Sequence, residues 1–157
     1  MDGGIDRLYL ERFGSQIQDQ VQKEIQRNHF GELLVGQALG VDTNDIEIPF
    51  LIAAPTMRVP TTLESSINPY LAARAVLLLV RDGHFRTGRF EGEPIRDHIS
   101  SIAFPGLGTG VGRVPPVQCA RQVRAAIEDV VLERFEFPQS TSQIRKRHDR
   151  LTQSAKP

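Results

Sequence analysis

Along residues 5–27 the apolar side chains fall at Ile5, Leu8, Phe13, Ile17, Val21 and Ile25. Steps of three to five place them on one helical face. Gly14-Ser15 interrupts the pattern and predicts two helical pieces. Ser15 is expected to cap the second, which stops near Asn28 and Gly31. Residues 33–41 predict a weak strand. Residues 48–54 predict a stronger one, because Ile-Pro-Phe-Leu-Ile-Ala-Ala is continuously apolar, as strands covered on both faces of a parallel sheet are. Asn68-Pro69 reads as a cap followed by proline at the first helical position. The helix it opens, over 70–80, is apolar on most sides and closes at Arg81-Asp82-Gly83. Residues 84–98 are polar and predict a long loop or small hairpin. Residues 99–104 predict a third strand, which runs into a glycine-rich segment. After Pro115-Pro116 comes a long helix with Val117, Ala120, Val123, Ile127, Val130 and Val131 on one face. Strands alternating with helices predict an α/β domain with three layers, α/β/α, around a mostly parallel (mixed) central sheet.

Composition narrows the class. The chain has 157 residues, room for one domain. Nineteen basic residues balance nineteen acidic ones. That balance argues against nucleic-acid binding by bulk phosphate neutralisation. A single cysteine excludes a disulfide framework and fits a reducing, cytoplasmic compartment. The longest apolar run, 48–55, is far short of the ~20 residues that span a bilayer, so no membrane partner is expected. Nothing before Ile5 reads as a signal peptide. From Pro138 onward five basic residues face one acidic residue, which leaves +4 on the tail and −4 on the rest. The expected division is a domain over 1–137 and a basic polar tail over 138–157, either mobile or folded as one polar helix.

The chemistry is expected in the segment that joins the third strand to the long helix. Gly106, Gly108, Gly110 and Gly112 alternate with other residues there. Glycines let a ligand approach the main chain, and successive backbone N–H groups form an anion-binding nest beside a helix N-terminus. In parallel α/β sheets ligands sit at the carboxyl ends of strands, where this loop lies. The spacing fits neither G-x-G-x-x-G, whose third glycine would fall on Val111 or Arg113, nor a Walker loop, since no lysine follows a glycine. The bland alternative is a tight turn that binds nothing. A second cluster, Gly3-Gly4-Ile5-Asp6, opens the first helix, where Asp6 would at least complement the helix dipole.

Together the two clusters resemble the macro domain family, which binds ADP-ribose. The sequence I-S-S-I-A-F-P-G-L-G-T-G-V-G-R-V-P over 99–115 is similar to the family's second phosphate loop. Gly3-Gly4-Ile5-Asp6 is similar to its first loop, and residues 31–55 to its middle section. The resemblance covers residues 1–135. It implies that Gly106, Gly108, Thr109, Gly110, Val111 and Gly112 wrap the pyrophosphate and distal ribose, with Arg113 able to pair with phosphate. Gly3, Gly4 and Ile5 would line the opposite side. Asp6 would be the catalytic carboxylate if the domain hydrolyses ADP-ribose conjugates. The implied partner is ADP-ribose or an ADP-ribosylated substrate, and no cofactor is implied. The alternative is a non-catalytic ADP-ribose reader, or an inactive remnant that acts through protein contacts. The family's first strand, its adenine-reading Asp and its Asn-Ala-Ala-Asn segment have no counterpart here, so the domain is expected to be short at its N-terminus.

Other candidates read more simply. Cys119 lies beside the apolar stripe of its helix and is expected to be a buried structural thiol. His29, His84, His98 and His148 show no metal-ligand spacing. Thr56 and Arg58 follow the central strand and are placed either to line a ligand site or to form a plain loop. Asn68 is expected as a helix cap.

Overall fold

A computed structural model describes residues 5–153 of the chain. Helix α1 (Ile5–Phe13) and helix α2 (Gln16–Asn28) are the two expected pieces, broken at Gly14. Ser15 sits at the start of α2, but its side chain makes no capping bond; its carbonyl instead accepts from Gln18 and Asp19. The stripe is buried only from Phe13 onward. Phe13, Ile17 and Val21 pack with Leu39, Val41 and Leu51 in one core cluster, whereas Ile5 and Leu8 are exposed. Arg12 holds α1 to the turn over 43–48 by pairing with Asp45 and Glu47. The Arg12 guanidinium, helped by the Ile48 amide, lowers the Asp45 carboxyl to about 2.

Strand β1 (Leu39–Asp42) and strand β2 (Phe50–Ala53) pair antiparallel, with Leu39 opposite Ala53 and Val41 opposite Leu51. They are the only strands among the described residues. The expected mostly parallel, three-layered sheet is therefore not what these residues display. They show an α/β fold with one two-stranded antiparallel ladder. The run over 99–104 pairs with no strand. Among the described residues the backbone groups of 100–105 make no backbone hydrogen bond, although Ile102 and Phe104 pack against the second core cluster. Residues 48–54 are not covered on both faces either: only Leu51 of β2 is buried.

Helix α3 (Asn68–Asp82) and helix α4 (Pro116–Val130) form the second layer. As expected, α3 is heavily buried, through Tyr70, Ala72, Ala73, Ala75, Val76 and Leu77. Helix α4 differs from its apolar pattern. Val123 and Ile127 pack against the core and Val130 is buried, as expected, but Val117, Ala120 and Val131 are exposed, and Gln118, Cys119, Gln122 and Ala126 are buried as well. Gln122 sits on that face with its whole amide used, whereas Gln118 uses its nitrogen and leaves its buried Oε1 without a partner among the described residues. Gln122 is fully buried. Its oxygen accepts from the Tyr70 amide (3.1 Å), and its nitrogen donates to Ser66 O (2.8 Å) and Leu151 O (3.0 Å). Gln118 donates to Glu64 O at 2.9 Å.

The basic segment after Pro138 folds as helix α5 (Thr141–Thr152), capped by Ser140 and docked on α3 and α4. Leu151 is buried, and Arg147 pairs with Asp129, which also accepts from Tyr70 Oη at 2.7 Å. Burial, and then that bond to Asp129, raises the Tyr70 phenol above its ordinary value. The polar stretch over 84–98 is a small hairpin-like loop, with Phe85 N donating to Glu93 O and Gly92 N to Phe85 O. Its few apolar residues do the packing: Phe85, Phe90 and His98 gather around Phe50 of β2. No helix among the described residues is long and apolar enough to cross a membrane.

Gln122→Ala should lower stability by about 3 kcal/mol, because three buried backbone groups lose their partner at once. Urea unfolding measures it; a loss below about 0.5 kcal/mol, the range of an ordinary surface substitution, would show that water or neighbours replace the amide.

Candidate functional site

The glycine-rich loop over 106–113 is built from one turn folded inside another. Thr109 N donates to Gly106 O, Arg113 N to Gly110 O, and Val114 N returns to Gly108 O. Leu63 N donates to Gly112 O at 2.7 Å, which fastens the loop to the segment before α3. That segment is itself fixed by α4, since Gln118 holds Glu64 and Gln122 holds Ser66. Below the loop, Leu63, Val114 and Cys119 form a third core cluster, joined by Met57 and Leu107.

Two of the glycines are required by this packing. Gly108 has φ of +71°, and a Cβ there would meet Val114 at 3.1 Å and Leu63 at 3.3 Å. A Cβ on Gly112 would come within 2.5 Å of Gly108 O. Gly110 is different: its φ is not in the left-handed region, and nothing lies within 4 Å of where its Cβ would be. Space stands open over that peptide.

The donors of the loop are equally distinct. The N–H groups of Gly110, Val111 and Gly112 donate to no acceptor among the described residues. Gly110 is exposed and Val111 is 66% exposed, whereas Gly112 is buried, so the solvent-facing part of this edge is 110–111. Arg113 follows directly, exposed, with φ of +54°, and its guanidinium makes no ion pair among the described residues. A non-glycine residue in the left-handed region stores strain, and such strain gathers where ligands are held. Three successive N–H groups without an acceptor among the described residues, followed in sequence by an unpaired guanidinium, are the kind of donors from which anion-binding nests are made.

This arrangement can be compared with known families. The Macro domain family model matches residues 1–123. The chain belongs to the macro domain family. That family is known for ADP-ribose binding. No curated protein and no solved structure matches the chain.

Within this macro domain, Gly106, Gly108, Thr109, Gly110, Val111, Gly112 and Arg113 lie together on one loop. Gly3 and Gly4 fall outside the described residues. Ile5 and Asp6 are exposed in the first turn of α1, which packs on α2. No hydrogen bond or ion pair joins Asp6 to the loop among the described residues. The negative charge of Asp6 acts on Tyr9, whose phenol is raised first by burial and second by that charge.

Thr56 and Arg58 take structural contacts. Thr56 O accepts from Asn68 Nδ2 at 2.8 Å, and Arg58 pairs with Glu32. Asn68 thereby ties the start of α3 to the chain leaving β2. Its side chain is not a cap, and its own amide is received by Ser66 Oγ at 3.0 Å. The Cys119 thiol is buried, and desolvation raises it above its ordinary value. Among the described residues no three His, Cys, Asp or Glu side chains are grouped to hold a metal. The residues that position the loop, Leu63, Gln118 and Gln122, carry no sequence signal of that role. Leu63 acts through its amide, and the glutamines act across more than fifty residues of chain.

Gly108→Ala and Gly112→Ala should each destabilise the domain by about 1–3 kcal/mol, through strain at one position and overlap at the other. Gly110→Ala should stay within about 0.5 kcal/mol of the wild type. Thermal unfolding of the three variants separates the glycines the fold needs from the one it leaves open.

Proposed function

We propose that this macro domain binds ADP-ribose, or a related nucleoside diphosphate, through the main-chain edge over 110–112. The observation that carries the reading is the run of three N–H groups with no acceptor among the described residues. A pyrophosphate offers several anionic oxygens to such a run, and glycine on both sides lets them approach closely. Arg113 adds a planar fork able to take two phosphate oxygens at once.

The finer parts of the reading rest on the same resemblance. Gly3, Gly4 and Ile5 would face the pyrophosphate from the other side. The whole domain would be a three-layered α/β/α arrangement with a mostly parallel (mixed) sheet. Residues 1–137 would carry the ligand and residues 138–157 would brace them. The compartment would be the cytoplasm, where ADP-ribosylated proteins would be met. Removal of ADP-ribose from a conjugate would depend on Asp6 as the base. A reader without catalysis would need only the loop, and the loop is the part with geometry in its favour.

Calorimetric titration tests the proposal. ADP-ribose should bind in a one-to-one complex, and Arg113→Ala should weaken it about tenfold, the size of one charge-assisted contact. Asp6→Ala should leave affinity unchanged; a hydrolase would lose turnover in that variant. No heat with ADP-ribose from folded protein would overturn the reading.

A further inference from the structure

A second site lies away from the loop, where α2, β1 and the chain after α3 meet. Glu24 occupies the third inward position of α2, after Ile17 and Val21, where the helical stripe calls for an apolar residue. It is 1% exposed. One carboxylate oxygen accepts from Asn28 Nδ2 at 2.9 Å; the other, Oε2, has no hydrogen-bond partner. No cation pairs with Glu24 among the described residues. A buried carboxylate with an unsatisfied oxygen is costly unless a donor is supplied.

Beside it is a cavity of about 160 Å³, lined by Glu24, Asn28, His29, Leu79, His84 and Arg86 among others. No residue of the 106–113 loop lines it. Glu24 and Leu79 give the cavity a buried or half-buried wall, whereas Asn28, His84 and Arg86 are exposed and stand at its mouth. Arg86 makes no ion pair among the described residues. The cavity therefore offers an acceptor without a donor inside and a cationic fork without an anion outside. The terminal torsion of a glutamate is broad, so either carboxylate oxygen can be turned to a ligand without leaving its rotamer.

The volume fixes the scale of the occupant. A cavity of roughly 150 Å³ holds a molecule the size of benzene, about six heavy atoms. A bare organic cation would satisfy Glu24 but would meet Arg86 at the entrance. A bare anion would satisfy Arg86 and be repelled by Glu24. We infer that this cavity binds a small zwitterion, an α-amino acid of the size of glycine or alanine, with its ammonium on Glu24 and its carboxylate on Arg86. The site is independent of the ADP-ribose loop and needs no metal.

The test is an amide-shift titration of ¹⁵N-labelled full-length protein with glycine, alanine, methylammonium and acetate in turn, each to about 10 mM, a range that detects millimolar affinity. Glycine and alanine should produce saturating shifts at His29, Gly40 and His84. Methylammonium and acetate, each with half the required charge, should bind at least about tenfold more weakly. Glu24→Gln keeps the shape and the bond to Asn28, and Arg86→Ala lies on the surface; both should fold and both should weaken the amino acids about tenfold. Absent shifts, which would mean that the cavity holds water only, overturn the inference. So do equal shifts with methylammonium or acetate, or unchanged amino-acid binding in either variant.

Discussion

The structure depends on two buried glutamines of α4. Gln118 and Gln122 are one helical turn apart and both face inward. An amide there would be costly without partners. Gln122 finds three, from the start of α3, the segment before it and the end of α5. Gln118 finds Glu64 O on that same segment. The backbone over 63–70 and the last turn of α5 are thus referred to a single helix. Apolar contacts alone would let these parts slide; directional bonds fix their register. The glycine-rich loop inherits that register, because Leu63 holds Gly112 from below.

A loop so held can leave some donors unused. Gly108 and Gly112 serve the packing, and Gly110 leaves room above its peptide. The result is a small positive edge on a domain whose body, outside the basic tail, is acidic. Long-range charge does not draw an anion to such a body, so in the proposed binding mode the attraction is local, made by N–H dipoles and Arg113 at contact distance. At physiological salt, screening over about 8 Å favours that kind of recognition over long-range steering. Within the described part of the basic segment, Arg147 pairs with Asp129 and Leu151 packs into the cluster between α3 and α4.

Local features of this fold were legible in the sequence. The break at Gly14, the apolar helix after Asn68-Pro69, the two short strands and the Pro-opened α4 all follow from nearby residues. What was not legible depends on partners distant in the chain. The alternation over 99–104 is strand-like, yet a strand exists only through its neighbours, and among the described residues that run has none. Val123, Ile127 and Val130 of α4 follow the apolar pattern inward, but Gln118 and Gln122 read as surface; only residues 64–66, 70 and 151 turn those amides inward. The packing of Phe85 and Phe90 against Phe50 was hidden by the polar composition around them. Of the site, the glycine loop and Arg113 could be named from spacing and resemblance, and the buried thiol of Cys119 from its helix face. The unused donors over 110–112 could not, since which N–H groups a turn consumes is decided by its closed geometry.

In the proposed binding mode the amides of Gly110, Val111 and Gly112, which have no acceptor among the described residues, are occupied by the ligand. Amide proton chemical shifts and hydrogen-exchange rates at these three positions, recorded with and without ADP-ribose, address it directly. Fast exchange is expected at the exposed Gly110 and Val111 without ligand, and downfield shifts with slowed exchange at these positions upon binding. Slow exchange at these two before ligand is added, or ADP-ribose binding that leaves their amides unchanged, would contradict that mode.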